Sequence, residues 1–239
     1  MSGSYDLRNK VVLVTGASQG LGRQFAEILS ANGARVALAA RQVSKITSLK
    51  EELENKGGKA CAVEMDVLDQ QSIGNCVDIV ERDLGPNDVL VNNAGVAEFG
   101  IIETFNAESW RRVMETNLDG MFYLSQALVP NLKTSKGSIV NIASISGLRG
   151  STLRVAYGTS KAAVMQLSKQ QAVELGEYGI RVNCVAPGPV RTKLAMAVHT
   201  ENIIDAYHDT IPLNRYGRED ESANAIYLFA SDQASYIAG

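Results

Sequence analysis

An alternation restricts the fold more than any other feature of the chain. Short runs of β-branched and aliphatic residues recur along its 239 residues, each separated from the next by a longer stretch of helical periodicity. Strand patterns fall at 10–15, 35–39, 60–64, 88–91, 137–143 and 180–186. Helical patterns fall at 21–32, 43–56, 69–84, 107–118, 121–132, 156–178 and 221–231, with Gly57-Gly58 and Gly85-Pro86 as stop signals. The strand runs are apolar throughout rather than alternating, as expected of strands covered on both faces. Such runs between helices build βαβ units, and right-handed crossovers then give a doubly wound, Rossmann-type α/β fold with helices on both faces of a parallel sheet. No internal repeat, low-complexity tract or linker interrupts the order, so residues 1–239 read as one domain.

Composition removes several functional classes. A formal net charge of -3 argues against a nucleic-acid surface and against a polybasic membrane patch. Cys61, Cys76 and Cys184 are scattered, without a CxxC pair, and read as small buried apolar side chains in a reducing, cytoplasmic setting. Residues 1–10 are polar and lack the apolar core of a signal peptide. No apolar run approaches the ~20 residues that cross a bilayer.

The first strand runs directly into Thr15-Gly16-Ala17-Ser18-Gln19-Gly20-Leu21-Gly22, where a helix opens. A tight turn there needs glycine conformations, a pyrophosphate needs close backbone approach, and a helix N-terminus supplies free N–H groups and a positive dipole end. Gly16, Ser18, Gln19, Gly20, Leu21 and Gly22 are therefore candidate dinucleotide contacts, although the spacing is GxxxGxG rather than GxGxxG. The end of the second strand bears on which dinucleotide is bound. An acid there hydrogen-bonds a ribose 2′-hydroxyl, but this chain has Ala39-Ala40-Arg41, and a guanidinium suits a 2′-phosphate. NADP(H) is expected in preference to NAD(H). Asp66 and Val67, past the third strand, are expected beside the adenine, although Asp66 also competes with Asp69 and Ser72 for capping the next helix.

Tyr157 and Lys161 stand four residues apart, on one helical face within ~5–6 Å. At an effective dielectric of ~20, a cation at that range is worth about 3 kcal/mol. That lowers the ionisation of a phenol from about pH 10 by roughly two pH units. Ser144 follows the fifth strand and Asn92-Asn93-Ala94-Gly95 follows the fourth, at the rim where doubly wound sheets hold ligands. Asn117 lies in a helical pattern that an amide does little to favour.

Taken in order, Thr15-Gly16-x-x-x-Gly20-x-Gly22, Asn92-Asn93-Ala94-Gly95, Asn117, Ser144, Tyr157-x-x-x-Lys161 and Pro187-Gly188 resemble the short-chain dehydrogenase/reductase family over about residues 7–239. The resemblance implies a single dinucleotide-binding catalytic domain that moves hydride between a nicotinamide and a small ketone or secondary alcohol. By it, Tyr157 is the general acid/base, and Lys161 holds the nicotinamide ribose and acidifies the phenol. Ser144 orients the carbonyl, and Asn117 anchors a water in the proton relay. Asn93, Ala94 and Gly95 line the adenosine side, while Pro187, Gly188, Val190 and Thr192 flank the nicotinamide. No metal is implied. Family members are usually homotetramers or dimers built on helices such as 106–132 and 156–178. They also continue past the position of Gly239 into another strand, so either the native chain is longer or that strand and its share of a subunit interface are missing.

Selectivity is expected from the rim loops at 96–102, 145–155 and 189–212, the last long enough to be a lid. Arg149 and Arg154 favour an anionic substrate if they face the pocket; otherwise they are surface charges. His199 and His208 fall in the lid stretch with no proton role left to fill, and Trp110 reads as a packed aromatic. Three functions remain open. The first is reduction of a 3-oxoacyl group on acyl carrier protein, or of a related ketone, with Lys133, Lys136 and Lys169 as a docking face. The second is oxidation of a sugar, polyol or sugar acid. The third, of another class, is an NADP-binding scaffold or redox sensor without turnover.

Overall fold

The computed structural model describes residues 5–192, 195–196 and 201–239. Six parallel strands form one sheet in the order β3-β2-β1-β4-β5-β6. They are β1 (Val11–Thr15), β2 (Arg35–Ala40), β3 (Lys59–Glu64), β4 (Val89–Asn92), β5 (Ser138–Ile142) and β6 (Arg181–Val185). The chain winds outward from β1 through β2 to β3, then returns to the other side of β1 with β4, so Val14 pairs with Leu38 on one flank and Val91 on the other. Connections leave β1 and β4 in opposite directions, which opens a crevice above their C-terminal ends.

Helices cover both faces: α1 (Gly20–Ala31), α2 (Val43–Asn55), α3 (Gln70–Leu84), α4 (Ala107–Met114), α5 (Gly120–Ser135), α6 (Val155–Leu175), α7 (Glu201–Thr210) and α8 (Glu219–Ala230). Successive strand residues point to opposite faces. Val12, Val14, Val36 and Leu38 meet Phe25 and Leu29 of α1, Ile46 and Leu49 of α2, and Ile226 of α8. Val11, Leu13, Leu90 and Ile139 meet Val80 of α3 and Leu124 and Leu128 of α5. This double coverage explains the unbroken apolar strand runs.

The elements differ from expectation in three places. Asp69 is the N-cap of α3, accepting from the backbone N–H groups of Gln71 and Ser72, so the helix starts one residue later. The patterns at 107–118 and 121–132 form a continuous helical run, joined by a π-helical turn at Glu115–Asp119. Gly120, in the gap between the two patterns, is a packing residue, because a Cβ there would stand 2.7 Å from Val67 Cγ2. The stretch expected as a lid loop contains α7, whose Ile203, Ile204, Asp205 and Asp209 carry weak intrinsic helix preference.

A buried amide ladder ties the site-bearing helices to the sheet. Asn92 Nδ2 donates to Ser125 Oγ of α5 at 3.0 Å and to Asn141 Oδ1 of β5 at 2.9 Å. Asn141 Nδ2 donates in turn to Ser168 Oγ and Gln171 Oε1 of α6 at 2.9 and 3.0 Å. At the sheet edge the final residues lie against β6, where Gly239 N donates to the Val182 carbonyl at 2.9 Å. Burial pushes the Cys61 thiol up to about 11 and the Cys76 thiol up to about 12, so both behave as apolar filling. Among the described residues no helix is long and apolar enough to cross a membrane.

Candidate active site

A cleft of about 790 Å³ runs across the C-terminal ends of the strands. Every catalytic and cofactor-binding candidate named from sequence lines it except Asn117, which lies directly behind its wall. Its floor is the turn between β1 and α1. There Gly20 adopts a positive φ of 55° and faces open space, whereas a Cβ on Gly22 would strike the Gly16 carbonyl oxygen. No side chain caps α1. The first N–H groups of that helix therefore point into the cleft without a protein partner, in the arrangement that receives a phosphate. Thr15 Oγ1 accepts from the backbone N–H groups of Asn93 and Ala94, both at 2.9 Å, and Asn93 Nδ2 donates to the Thr15 carbonyl at 2.9 Å. The Asn93-Ala94-Gly95 segment is thereby clamped to the phosphate loop.

At one end of the cleft stand Ala39, Ala40 and Arg41, with Asp66 and Val67 opposite. Asp66 Oδ1 accepts from Leu68 N at 3.0 Å, and because Asp69 caps α3 the Asp66 carboxylate stays at the cleft rim. Sequence reasoning missed Lys45. Its ammonium donates to Gln19 Oε1 at 3.1 Å, bringing a second cation from the start of α2 to the phosphate loop. Only a long-range contact between two exposed polar residues reveals it, and periodicity carries no trace of that.

Past the loop stand Ser144, Tyr157 and Lys161. Ser144 is 9% exposed; its hydroxyl lies beside the Tyr157 phenol, whose ionisation it favours, and accepts from Ser146 N at 3.2 Å. Lys161 Nζ lies 5.8 Å from the centre of the Tyr157 ring and donates to the Ile142 carbonyl at 2.7 Å. Burial pulls this ammonium down to about 8. Burial also raises the phenol above its ordinary value, opposed by the Ser144 hydrogen bond and by the charge of Arg154. Two cations therefore flank the phenol: the Arg154 guanidinium carbon stands 5.9 Å from the ring centre, about as far as Lys161 Nζ, which is buried against a carbonyl.

Asn117, fully buried in the π turn, accepts from Val96 N at 2.7 Å and donates to the Val96 carbonyl and Ser160 Oγ at 2.9 and 3.0 Å. Its side chain joins the loop after β4 to α6. On the opposite wall, Pro187, Gly188, Val190 and Thr192 follow β6, and the Pro187 carbonyl accepts from Ile145 N at 3.0 Å. The short chain dehydrogenase family profile matches residues 10–203.

The chain belongs to the short-chain dehydrogenase/reductase family. It is 37% identical to the 3-oxoacyl-[acyl-carrier-protein] reductase FabG of Aquifex aeolicus over 98% of this chain and 94% of that one. It is 38% identical to the trans-4-hydroxycyclohexanecarboxylate dehydrogenase of Sinomonas cyclohexanicum over 96% and 89%. A crystal structure of a short-chain type dehydrogenase/reductase from Mycobacterium marinum superposes with a TM-score of 0.92 at 34% identity, covering 98% of this chain and 93% of the other. The molecule is thus an oxidoreductase of CH–OH and carbonyl groups that uses a nicotinamide cofactor. The uncapped start of α1 and the open face of Gly20 fit the cofactor's pyrophosphate.

This short-chain dehydrogenase also revises the rim. Phe99, Arg154 and Tyr207 line the cleft, whereas Arg149 is exposed outside it. Lys136 caps the far end of α5 and lines a small cavity with Lys10 and Gly137, at the N-terminal edge of the sheet. Lys133 lies over the Tyr178 ring at 3.4 Å, near that same edge, so neither lysine can dock a carrier at the cleft mouth. Lys169 is exposed two turns along α6 from Lys161. His208 packs edge-on against Tyr216 with ring centres 5.7 Å apart, and His199 lies outside the described residues. Trp110 is 36% exposed on α4 rather than packed in the core.

Proposed function

We propose that this enzyme is an NADP(H)-dependent carbonyl reductase and secondary-alcohol dehydrogenase acting on a small free molecule. The observation that carries the proposal is one continuous cleft with an uncapped helix start and Arg41 at one end and Ser144, Tyr157 and Lys161 at the other. The nicotinamide, when bound, supplies or accepts the hydride. Tyr157 gives its hydroxyl proton to the substrate oxygen during reduction and takes it back during oxidation. Ser144 holds the same oxygen. Lys161 orients the ribose and returns the proton to Tyr157, and Asn117 fixes the loop and helix that carry these groups.

Two cations and no acid at the end of β2 support the 2′-phosphate, since Arg41 forms no ion pair among the described residues and Lys45 reaches Gln19 beside it. Arg41→Ala is expected to weaken NADPH binding about tenfold or more and NADH binding less than twofold, as read by fluorescence titration. Equal losses for both would remove the NADP assignment.

The name of the Aquifex relative supports a 3-oxoacyl substrate on a carrier, and that of the Sinomonas relative supports a hydroxy acid. The position of Lys133 and Lys136 away from the cleft favours the free small molecule. Consumption of NADPH with a panel of ketones tests the proposal. Turnover lowered about 10³-fold in Tyr157→Phe supports it; tight NADPH binding with no turnover on any carbonyl leaves only a cofactor-binding scaffold.

The exposed Trp110, Phe122 and Val173 on α4, α5 and α6 support association through these helices, as a homodimer or homotetramer. Sedimentation at micromolar concentration is expected to show one of the two, and a monomer would refute it. The unpaired thiols of Cys61, Cys76 and Cys184 fit a reducing cytoplasm.

A further inference from the structure

We propose that Arg154 is the specificity residue of this enzyme, and that it selects substrates carrying a free carboxylate close to the reacting carbon. This inference rests on the reductase reading above and narrows it to oxo acids and hydroxy acids.

Several observations converge on that side chain. Its guanidinium carbon stands 5.0 Å from the centre of the Phe99 ring and 5.9 Å from that of Tyr157, on the substrate side of the cleft. A planar cation over an aromatic face keeps its N–H fork in its own plane, off the ring and free for a partner. Among the described residues Arg154 makes no ion pair and no side-chain hydrogen bond, while Arg23, Arg112, Arg215 and Arg218 all hold carboxylates. The cleft offers it no acid either: Asp66, at the opposite end, is the sole carboxylate among the described lining residues.

The position is also built, rather than a chance of a loose surface. Leu153 holds a left-handed backbone at φ 64°, a conformation that costs energy for a branched side chain, and turns the chain just before Arg154. Gly100 N donates to the Leu153 carbonyl at 3.0 Å, and Gly158 N donates to the Arg154 carbonyl at 2.7 Å. The loop bearing Phe99 and the start of α6 are thereby stitched together around the guanidinium.

A half-buried guanidinium with an open fork favours an anion that accepts two parallel hydrogen bonds, and a carboxylate matches that spacing. Because the guanidinium carbon stands 5.9 Å from the centre of the Tyr157 ring, the carboxylate and the reacting carbon belong to one short molecule. A carrier-linked acyl group fits less well: its thioester is uncharged, and its nearest phosphate lies a whole pantetheine arm from the carbonyl.

The test compares matched pairs of short oxo acids and their methyl esters, the ketone placed two, three or four carbons from the carboxyl, with NADPH saturating. The measured quantity is the ratio of kcat/KM for acid over ester. Taking the ratio cancels any effect of Arg154 on Tyr157 itself. Wild type is expected to favour at least one acid by roughly 10- to 150-fold, the range of a charge-assisted hydrogen bond. Arg154→Met is expected to bring that ratio close to one, chiefly through KM of the acid. Arg154→Lys should keep part of it, since the charge remains and the fork is lost. Calorimetric titration of the NADPH complex with a short carboxylate and its amide gives a readout free of turnover, with only the carboxylate binding and only to wild type and the lysine variant. A wild-type ratio near one for every pair, or a ratio unchanged in Arg154→Met, overturns the assignment while leaving the reductase intact. Absence of turnover on every acid and ester overturns both.

Discussion

Tyr157→Phe is expected to lower kcat for ketone reduction by about 10³-fold while changing NADPH affinity far less. The ring survives the substitution, so its contacts with Arg154 and Lys161 survive with it. Only the hydroxyl is lost, and with it the proton that the substrate oxygen must receive. A loss of that size is about 4 kcal/mol of transition-state stabilisation, within the range of a positioned acid. The direction of the pH dependence follows from the environment. Burial holds the phenol above its ordinary value in the cofactor-free chain, against the pull of Ser144 and Arg154, so the proton is present at neutral pH and reduction slows as the medium becomes alkaline. The variant's residual rate should lack that alkaline decline. Stopped-flow NADPH oxidation from pH 6 to 10 provides both measurements, and a variant keeping more than a tenth of wild-type kcat would remove Tyr157 from the chemistry.

Lys161→Met should act on activity and on stability in opposite directions. Activity is expected to fall about 10²-fold or more, because Lys161 is the sole lysine among the described residues that line the cleft, and with it goes the ammonium that orients a ribose and returns a proton. Stability of the cofactor-free protein should rise. The amine sits fully enclosed, and burial pulls it from 10.5 to about 8. That displacement corresponds to roughly 3 kcal/mol, from which about 1 kcal/mol is taken back when the Ile142 carbonyl loses its donor. The net gain is on the order of 2 kcal/mol, or roughly 4–8 °C in unfolding midpoint for a chain of this size. The sign against pH is fixed by proton counting. Below pH 8 both folded and unfolded wild type hold the proton, and the full penalty applies. Between about 8 and 10.5 the unfolded chain still holds it while the folded chain has released it, so wild-type stability climbs and the advantage of the variant shrinks. Calorimetric melts at pH 7 and pH 10 decide the matter. A lower midpoint for the variant, or a gap that is constant across that interval, would mean that the amine is not held at a desolvation cost.

Much of this molecule is legible without coordinates because its strands are covered on both sides. Runs such as Val11-Val-Leu-Val-Thr15 carry no polar face to confuse the pattern, and their alternation with helices leaves few topologies. The phosphate loop and the Tyr157–Lys161 pair are legible for a similar reason: each lies within a few consecutive residues, where local geometry sets the distances. What stays hidden is set by contacts distant in sequence. Nothing in the sequence of residues 145–155 says that Arg154 turns inward while Arg149 faces solvent, because that outcome depends on the strained Leu153 and its hydrogen bond from Gly100. Lys45 is equally silent until α2 is placed beside the phosphate loop. The lysines read as a docking face fail for a directional reason. Chain order does not reveal which end of a helix a residue occupies relative to the cleft, and α5 carries Lys133 and Lys136 away from it. Helix α7 and the join at Glu115–Asp119 escape because intrinsic preference is weak in the first and because Asn117, Asp119 and Gly120 interrupt the helical pattern in the second.

The chain of amides from Asn92 through Asn141 to Gln171 has a consequence for alignment. Greasy surfaces slide: a leucine-lined helix can shift along a sheet by a fraction of a turn with little change in energy. Fixed donors and acceptors cannot, since a slip of that size leaves a dehydrated amide without its counterpart. The ladder therefore works as a ruler laid beneath the reaction centre, setting the helix that carries the phenol and the amine against the strand that leads to Ser144. Reactive groups that must meet within a few tenths of an ångström are gauged from the interior of the protein, not from the loops around its mouth.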